Sequence, residues 1–302
     1  MKIKVKCDYC GEITLKFPYQ IRADKHNFCN RGCLGKWLGN KRRGQKRPLF
    51  SDEWKNNIRL GALNKPQSLK TIQKKQETAL QKHPLDVHYF DKINYRSAYL
   101  LGYFFADGCM FYGKRPENKF QPQRGLGFAV TSVDKELIDI VIKELKCFKH
   151  KIKINRPINI HQKVSYCIQI YNATILDRMF QLGLIPKKSR RITIPQEIKN
   201  TLFFDFLRGV FDGDGWISSP LRKPAFCIVS VSRKFLLQIK KRLNQFNIQP
   251  SLHQYSSGKA HRLCIYGKAN IKNMYNKLYS KNVKGLYLSR KRERFYNQSI
   301  KR

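Results

Sequence analysis

The sequence predicts an α+β fold of two similar halves, preceded by a small cysteine-rich module. A nine-residue pattern occurs twice, as L-L-G-Y-F-F-A-D-G over Leu100–Gly108 and as L-R-G-V-F-D-G-D-G over Leu207–Gly215. The same order of apolar segments accompanies each copy: helix, strand, strand, helix, strand, strand, helix. Four cysteines at metal-ligand spacing precede both copies. We therefore expect domains at 1–38, 39–86, 87–195 and 196–302.

The composition is strongly basic. The 302 residues include 61 Lys and Arg against 20 Asp and Glu, a formal net charge of +41 at pH 7. A protein of this charge usually binds a polyanion, of which nucleic acid is the first choice. The alternative is a merely lysine-rich, solvated surface. No apolar run reaches the roughly 18 residues of a membrane span and no signal-peptide core follows Met1, so we expect no membrane partner.

The N-terminal cysteines form two short-spaced pairs, Cys7-x-x-Cys10 and Cys29-x-x-x-Cys33. Short turns between thiolates let two sulfurs bind one ion without strain, so the four cysteines predict one closed, structural Zn²⁺ site. A module this small cannot bury enough apolar surface alone, which makes a metal its natural support. A redox thiol pair is the alternative, and His26 could replace one cysteine.

Residues 39–86 form a basic tether with too little apolar surface for a core of their own. Helices are predicted at Ser51–Leu63, with Ser51 as N-cap, and at Ser68–Lys82. We expect the tether to lie along DNA, and a flexible solvated linker is the alternative. Its first basic cluster supplies candidate contacts: Lys41, Arg42 and Arg43.

The first half follows the seven-element order from its apolar helix onward. Its predicted elements are a helix at Ala98–Asp107, strands at Cys109–Tyr112 and Leu126–Ser132, a helix at Lys135–Lys146 with Asp134 as its cap, strands at Lys151–Asn155 and Ser165–Tyr171, and a helix at Ile175–Leu182.

The second half repeats that order. Its predicted elements are a helix at Phe203–Asp214, strands at Trp216–Ser218 and Ala225–Val231, a helix at Lys234–Phe246, strands at Pro250–Tyr255 and His261–Gly267, and a helix at Ala269–Tyr279.

The two pattern helices carry small residues at a spacing that favours close packing. Gly102 and Ala106 lie four residues apart, as do Gly209 and Gly213, so each pair shares one helix face. Small residues on facing sides let two helix backbones approach closely. We expect the two helices to pack against each other at the centre of the molecule.

Each of these helices ends in an acid followed by glycine. A carboxylate at a helix C-terminus opposes the macrodipole by about 0.3–1 kcal/mol. If the helices pack side by side, Asp107 and Asp214 also repel each other. A bound cation removes both penalties, and Mg²⁺ prefers carboxylate, phosphate and water oxygens. The glycines Gly108 and Gly215 would let the backbone leave each helix in the left-handed conformation.

The chemistry that such a site predicts is phosphodiester hydrolysis. Metal ions about 3.5–4 Å apart can stabilise the attacking and leaving oxygens of one displacement. Two pseudo-symmetric sites, one per acid, would cut both strands of a duplex.

The two motifs resemble those of LAGLIDADG homing endonucleases in the single-chain, two-motif form, over about residues 87–297. The resemblance implies an αββαββα fold in each half and two sheets forming a DNA-binding saddle. It also implies that a monomer cuts both strands of a long asymmetric site, leaving short 3′ overhangs. It assigns two or three Mg²⁺ ions to the last acids, Asp107 and Asp214, beside Gly108 and Gly215. The first motif has Phe105 where the second has Asp212, a position that the family varies more freely.

The family also places a basic residue near the end of each half, where it polarises the active-site water or phosphate. G-L-I-P-K-K-S offers Lys187 and Lys188, and G-L-Y-L-S-R-K offers Lys291. Lys188 is preferred because it precedes Ser189 in a family-like K-S pair. A plain phosphate contact is the alternative role for each lysine.

Polar residues of the predicted strands and hairpin loops would read base edges, or would simply face solvent. The candidates are Lys114, Arg115, Arg124, Gln169, Arg222, Lys223, His253, Gln254 and Arg262. The cysteine module resembles small fingers appended to mobile-element nucleases and would extend the contacted DNA.

Three functions are compatible with these features. The first is a site-specific double-strand DNA endonuclease that serves intron mobility. The second is a maturase on the same fold that binds intron RNA. The third is a DNA-binding regulator without catalysis. The presence of both acids favours cleavage.

Overall fold

The computed structural model describes residues 1–21, 26–43, 51–63, 68–112, 126–218, 225–255, 258–279 and 283–299, without the side chains of residues 59, 60, 62, 63 and 299. The chain divides into two compact units, Met1–Leu69 and Lys70–Arg302. Within the described ranges, no helix is both long and apolar enough to cross a membrane.

The first unit is a hairpin followed by helices. Strands β1 (Ile3–Lys6) and β2 (Ile13–Lys16) pair antiparallel, and helices α1 (Arg31–Arg42) and α2 (Asp52–Leu63) follow. Helix α2 begins where the Ser51 hydroxyl accepts the Trp54 amide hydrogen at 3.2 Å, as predicted. Of the side chains described in this unit, Cys7 alone is fully buried. The unit therefore has little apolar core with which to hold itself together.

Helix α3 (Leu69–Lys82) spans the boundary between the units, and the repeated halves follow it. The first half comprises α4 (Tyr95–Asp107), β3 (Gly108–Tyr112), β4 (Leu126–Ser132), α5 (Lys135–Glu144), β5 (Lys153–Asn155), β6 (Ser165–Ile170) and α6 (Ala173–Gln181).

The second half has the same seven elements and one more. They are α7 (Phe203–Asp214), β7 (Gly215–Ile217), β8 (Ala225–Ser230), α8 (Arg233–Asn244), β9 (Ser251–Gln254), β10 (His261–Tyr266), α9 (Lys268–Tyr279) and the additional α10 (Ser289–Ser299).

The two sheets have equivalent topology, which confirms the predicted pair of αββαββα halves. Their strand orders are β3-β4-β6-β5 and β7-β8-β10-β9, and all neighbouring strands are antiparallel. One face of each sheet packs on the helices, with Phe128 and Val130 of β4 and Phe226 and Ile228 of β8 buried in one continuous core. The opposite faces carry residues such as Gln169, which is exposed between two buried neighbours.

Helix α10 escaped the sequence analysis because it has little apolar periodicity. Ser289–Ser299 reads S-R-K-R-E-R-F-Y-N-Q-S, with two aromatic residues among polar ones. Phe295 is fully buried, and its ring lies 5.7 Å from those of Phe211 and Phe226. One aromatic anchor thus holds this helix against the second half.

Helices α4 and α7 pack backbone to backbone. A Cβ added to Gly102 would lie 2.0 Å from the carbonyl oxygen of Phe206, and one added to Gly209 would lie 2.0 Å from that of Tyr99. A Cβ on Gly213 would meet the Cβ of Ala106 at 2.3 Å. The predicted helix contact is therefore present, and glycine is required at these positions because no side chain fits between the two backbones.

The expected left-handed helix ends are wrong. Gly108 (φ −74°, ψ 148°) and Gly215 (φ −102°, ψ 162°) are both extended, and each begins a strand directly. Glycine is needed there for space, because a Cβ on Gly108 would lie 2.7 Å from the Phe128 ring and one on Gly215 would lie 2.3 Å from the Phe211 ring.

Replacing Gly209 by alanine should lower the free energy of unfolding by about 3 kcal/mol or more, because the new methyl group meets a main-chain carbonyl that cannot rotate away. Urea unfolding followed by circular dichroism measures this. Gly39→Ala in α1, where a Cβ would have no neighbour within 4 Å, is the control and should cause no loss. Equal stability of the Gly209→Ala variant and the wild type would contradict the packing.

Candidate active site

The packing of α4 and α7 brings their terminal acids together. Asp107 and Asp214 are both partly buried at the ends of the two helices. The pKa of Asp107 is raised to about 6, mainly by burial and next by the charge of Asp214, while the charges of Lys291 and Lys188 oppose the rise. Burial also raises the pKa of Asp214. Two carboxylates that resist ionisation therefore lie near each other, an arrangement that is electrostatically unfavourable by itself.

The ammonium groups of two lysines, one buried and one partly buried, lie against the same helix ends. Lys188 Nζ donates to the carbonyl oxygens of Phe105 (2.5 Å) and Ala106 (3.1 Å) in the last turn of α4. A cation at a helix C-terminus is favoured by the macrodipole and satisfies carbonyls that have no partner in the helix. Burial lowers the pKa of the Lys188 amine, and the two acids raise it.

Lys291 does the same for α7. Its Nζ donates to the carbonyl oxygens of Phe211 (2.9 Å), Asp212 (2.7 Å) and Gly213 (3.2 Å). Each lysine thus binds the motif helix of its own half. Of the two candidates in the first half, the side chain of Lys188 is buried, whereas Lys187 is exposed on a left-handed residue with φ 55°.

Of the two lysines, the one from the other half has the larger effect on the pKa of each acid. Lys188 and Asp214 line one cleft of 250 Å³, together with residues of β8 such as Val229 and Ser230. Among the lysines, Lys188 has the larger effect on the pKa of Asp214, and Lys291 has the larger effect on that of Asp107. Lys188 and Asp214, which come from different halves, thus lie at one cleft.

Asp212 is a third acid at this interface, and it is fully buried. Its Oδ2 accepts hydrogen bonds from the Tyr99 hydroxyl (2.8 Å) and the Leu288 amide (3.0 Å). Its Oδ1 has no partner among the described atoms, and burial raises the pKa of the carboxyl to about 6. In the sequence, Asp212 is distinguished only by its difference from Phe105, which occupies the equivalent position of the first motif. In the structure it connects α4 to the segment that precedes Lys291.

Asp134 does not cap α5 as predicted, since its side chain makes no capping hydrogen bond. Instead its two oxygens accept from Arg290 at 2.7 and 2.6 Å. Glu136 accepts from the amide (3.0 Å) and the hydroxyl of Ser289. These contacts join residues more than 150 positions apart, so local sequence patterns could not reveal them.

The four cysteines of the first unit form a compact cluster. The Sγ atoms of Cys7, Cys10, Cys29 and Cys33 all lie within 4.8 Å of one another. Their thiols crowd each other, so that the pKa of Cys33 is raised to about 12, mainly by its contact with Cys29. Four sulfurs at this separation fit a tetrahedral Zn²⁺ ion.

The predicted recognition residues fall into three groups. On the sheets, Gln169, His253 and Gln254 are exposed, and Arg262 lies opposite His253 with its guanidinium 5.5 Å from the Tyr255 ring. In the first unit, exposed basic residues end α1 or follow it: Lys41, Arg42 and Arg43. The remaining predictions lie outside the described residues: Lys114, Arg115, Arg124, Arg222 and Lys223.

The raised pKa of Asp107 predicts how stability depends on pH. Because the folded pKa of about 6 exceeds the ordinary 3.8, the folded state binds the proton more tightly, and stability falls as pH rises through this range. In Mg²⁺-free buffer, Asp107→Asn should be about 1–2 kcal/mol more stable than the wild type at pH 8 and nearly equal to it below about pH 4.

Thermal unfolding across pH 4–8 measures this difference. Asp139→Asn, which removes an exposed carboxylate paired with Lys135 at 2.8 Å, is the control and should show no gain at pH 8. A less stable Asp107→Asn variant at pH 8 would contradict the strained pair of acids.

Comparison with known proteins identifies part of the chain. Residues 204–279 match the family profile of a LAGLIDADG-like domain. A probable translation initiation factor IF-2 from Methanocaldococcus jannaschii is 31% identical over 132 residues, which are 38% of this chain and 11% of that protein. The chain thus spans about a tenth of the length of that relative. An uncharacterised protein from the same archaeon is 22% identical over 209 residues, 65% of this chain and 69% of its own.

Two of the solved structures to which the chain is similar are a complex with DNA and a variant protein. A variant of the homing endonuclease I-DmoI in complex with its target DNA has a TM-score of 0.45 and 18% identity, over 64% of this chain and 97% of that one. I-SmaMI has a TM-score of 0.47 and 13% identity, over 68% of this chain and 89% of that one.

The profile match covers α7, the sheet of the second half and α9, and it therefore includes Asp214. The first half repeats the same order of elements around Asp107. Residues 204–279 thus match a LAGLIDADG-like domain, and the first half of the chain has the same order of elements.

Proposed function

We propose that this protein is a site-specific double-strand DNA endonuclease. The observation that carries the proposal is the meeting of Asp107 and Asp214 at the ends of two packed helices, each beside a buried or partly buried lysine. Neither acid gains stability from this position, so both need a function that a folded scaffold alone does not supply.

The residues present fit a divalent cation. Both acids have raised pKa values through burial, and both lie at the end of a helix that disfavours negative charge. Asp107 and Asp214 would hold Mg²⁺, with the adjoining backbone of Gly108 and Gly215 beside it. When bound, the metal stabilises negative charge on a phosphate and makes water a better nucleophile.

The chain's own groups perform the remaining work. Lys188 and Lys291 keep the last turn of each motif helix in place, and their positive charge stabilises the negative charge that develops on the phosphate. Because each acid and the lysine from the opposite half act together, the arrangement provides two sites. Two sites related by pseudo-symmetry suit the two strands of a duplex.

The substrate class follows from charge and shape. The chain has a formal charge of +41, and the faces of both sheets opposite the core carry polar side chains such as Gln169 and His253. Lysine and arginine contacts to phosphates would supply most of the affinity, and the sheet residues would supply sequence preference. The cysteine module, held by one Zn²⁺, would bind further DNA.

Cleavage of duplexes selected for binding from a random library tests the proposal. The wild type with Mg²⁺ should cut both strands, and Asp107→Asn or Asp214→Asn should slow cutting by about 100-fold or more, because the cation loses a ligand. Asp139→Asn is the matched control and should cut normally. Binding without cutting would instead favour a DNA-binding regulator, and selective binding of intron RNA would favour a maturase.

Metal analysis tests the cysteine module separately. The full chain should contain one zinc per molecule, and Cys10→Ser should lower that content strongly because a closed site needs all four ligands. Cys109→Ser, which changes an exposed thiol outside the cluster, should leave the zinc content unchanged. Unchanged zinc in Cys10→Ser would exclude the proposed ligand set.

A further inference from the structure

We propose that each half of the molecule positions the active-site lysine of the other half. Asp134 and Glu136 of the first half would be positioning residues for Lys291, and Ser232 of the second half would be the positioning residue for Lys188. The consequence for cleavage rests on the proposed endonuclease function, whereas the positioning itself does not.

The turn that carries Lys291 is built on Leu288. The amides of Lys291 and Arg292 donate to the Leu288 carbonyl at 3.1 and 3.0 Å, and the Leu288 amide donates to Asp212 at 3.0 Å. These bonds fix the turn to its own half through α7. They leave the two residues immediately before Lys291 to be held by other contacts.

The first half supplies those contacts. Arg290 donates two hydrogen bonds to Asp134, and Ser289 donates two to Glu136. Paired, charge-assisted hydrogen bonds of this kind are strong and directional. The Asp134 side chain is only 19% exposed, so solvent weakens its pairing less than it would weaken a surface pair.

The turn that carries Lys188 has a corresponding arrangement. The amides of Arg191 and Ile192 donate to the Lys188 carbonyl at 2.7 and 3.0 Å. The Ile192 carbonyl then accepts from the Ser232 hydroxyl at 3.0 Å. Ser232 precedes α8 as Asp134 precedes α5, and both follow a strand that ends in serine.

The two contacts are thus equivalent in position and different in chemistry. Asp134 precedes α5 in the first half, and Ser232 precedes α8 in the second half. Each of them accepts a hydrogen bond from, or donates one to, the turn that carries the lysine of the other half. One contact is an ion pair and the other is a neutral hydrogen bond. Lys188 and Lys291 therefore reach their positions at the helix ends only when the two halves are docked. The Ser232 contact can be weakened without the Asp134 contact, and the reverse also holds.

Site-by-site acylation of lysines, measured by mass spectrometry on the full chain without DNA, tests the positioning directly. The double variant Asp134→Asn with Glu136→Gln should increase the labelling of Lys291 several-fold and leave Lys188 unchanged. Asp139→Asn on the same helix α5 is the matched control and should change neither lysine.

Ser232→Asp should produce the opposite pattern. In the wild type, the Phe235 amide donates to the Ser232 hydroxyl at 3.2 Å, a contact that caps α8. An aspartate carboxylate can accept the same hydrogen bond. It has no proton for the Ile192 carbonyl, so Lys188 should label faster while Lys291 does not. The charge exchange Asp134→Arg with Arg290→Asp should restore slow labelling of Lys291 relative to Asp134→Arg alone.

The same variants predict which strand is cut slowly. On a selected duplex, the double variant should accumulate nicked DNA, with one strand cut about 10- to 100-fold more slowly, because a small displacement of a positioned group is costly. Ser232→Asp should slow the other strand. Thermal unfolding accompanies both assays, since general loosening would speed labelling of both lysines together.

Two results would overturn the inference: unchanged labelling of Lys291 in the double variant, or equal changes at both lysines. If labelling changes as expected but the wild type cuts no DNA, the positioning holds and the endonuclease proposal fails. If the wild type cuts DNA but Lys291 labels normally in the double variant, the endonuclease proposal holds and the positioning fails.

Discussion

The direct packing of the α4 and α7 backbones is the constraint on which the rest of the second unit depends. Gly102 and Gly209 each lie against a carbonyl group of the opposite helix, so neither helix can move without losing the contact. This close approach places the ends of both helices side by side and therefore brings two acids together. The apolar residues around the glycines, such as Leu101 and Phe105, extend the same contact into a core shared by both halves.

Main-chain groups form hydrogen bonds with the charged side chains at the interface between α4 and α7. Lys188 and Lys291 donate to last-turn carbonyls, so both ammonium groups remain hydrogen-bonded although they are largely desolvated. Asp212 receives a hydroxyl and an amide hydrogen. Asp107 and Asp214 have no ammonium or guanidinium within 4.0 Å among the described residues, so the positive charges near them act only at longer range.

The two halves have the same order of elements but differ in the contacts that their motif helices make with the residues that follow the sheet. Arg208 of α7 stands where α4 has Leu101, and its guanidinium donates to the carbonyls of Leu278 and Leu286 and to Asp205. Because a buried guanidinium needs its donors satisfied, this arginine connects Leu286 to the last turn of α9.

The sequence by itself determined the two halves, their order of elements and the contact between the motif helices. These features depend on local or repeated patterns. The spacing of apolar residues distinguishes helices from strands, and two glycines four residues apart lie on the same face of a helix. The predicted strands agree with the structure within about two residues at each end. Helix α10 was missed because Phe295 is its only fully buried aromatic side chain.

Only the tertiary structure decided which residues surround each acid. Gly108 and Gly215 are glycines because phenylalanine rings occupy the space of a side chain, a reason that no local pattern expresses. Asp134 reads as a helix cap in the sequence, yet its carboxylate binds Arg290 of the other half. Contacts between residues so far apart in the chain depend on how the halves dock, and docking follows from packing that a linear pattern does not contain.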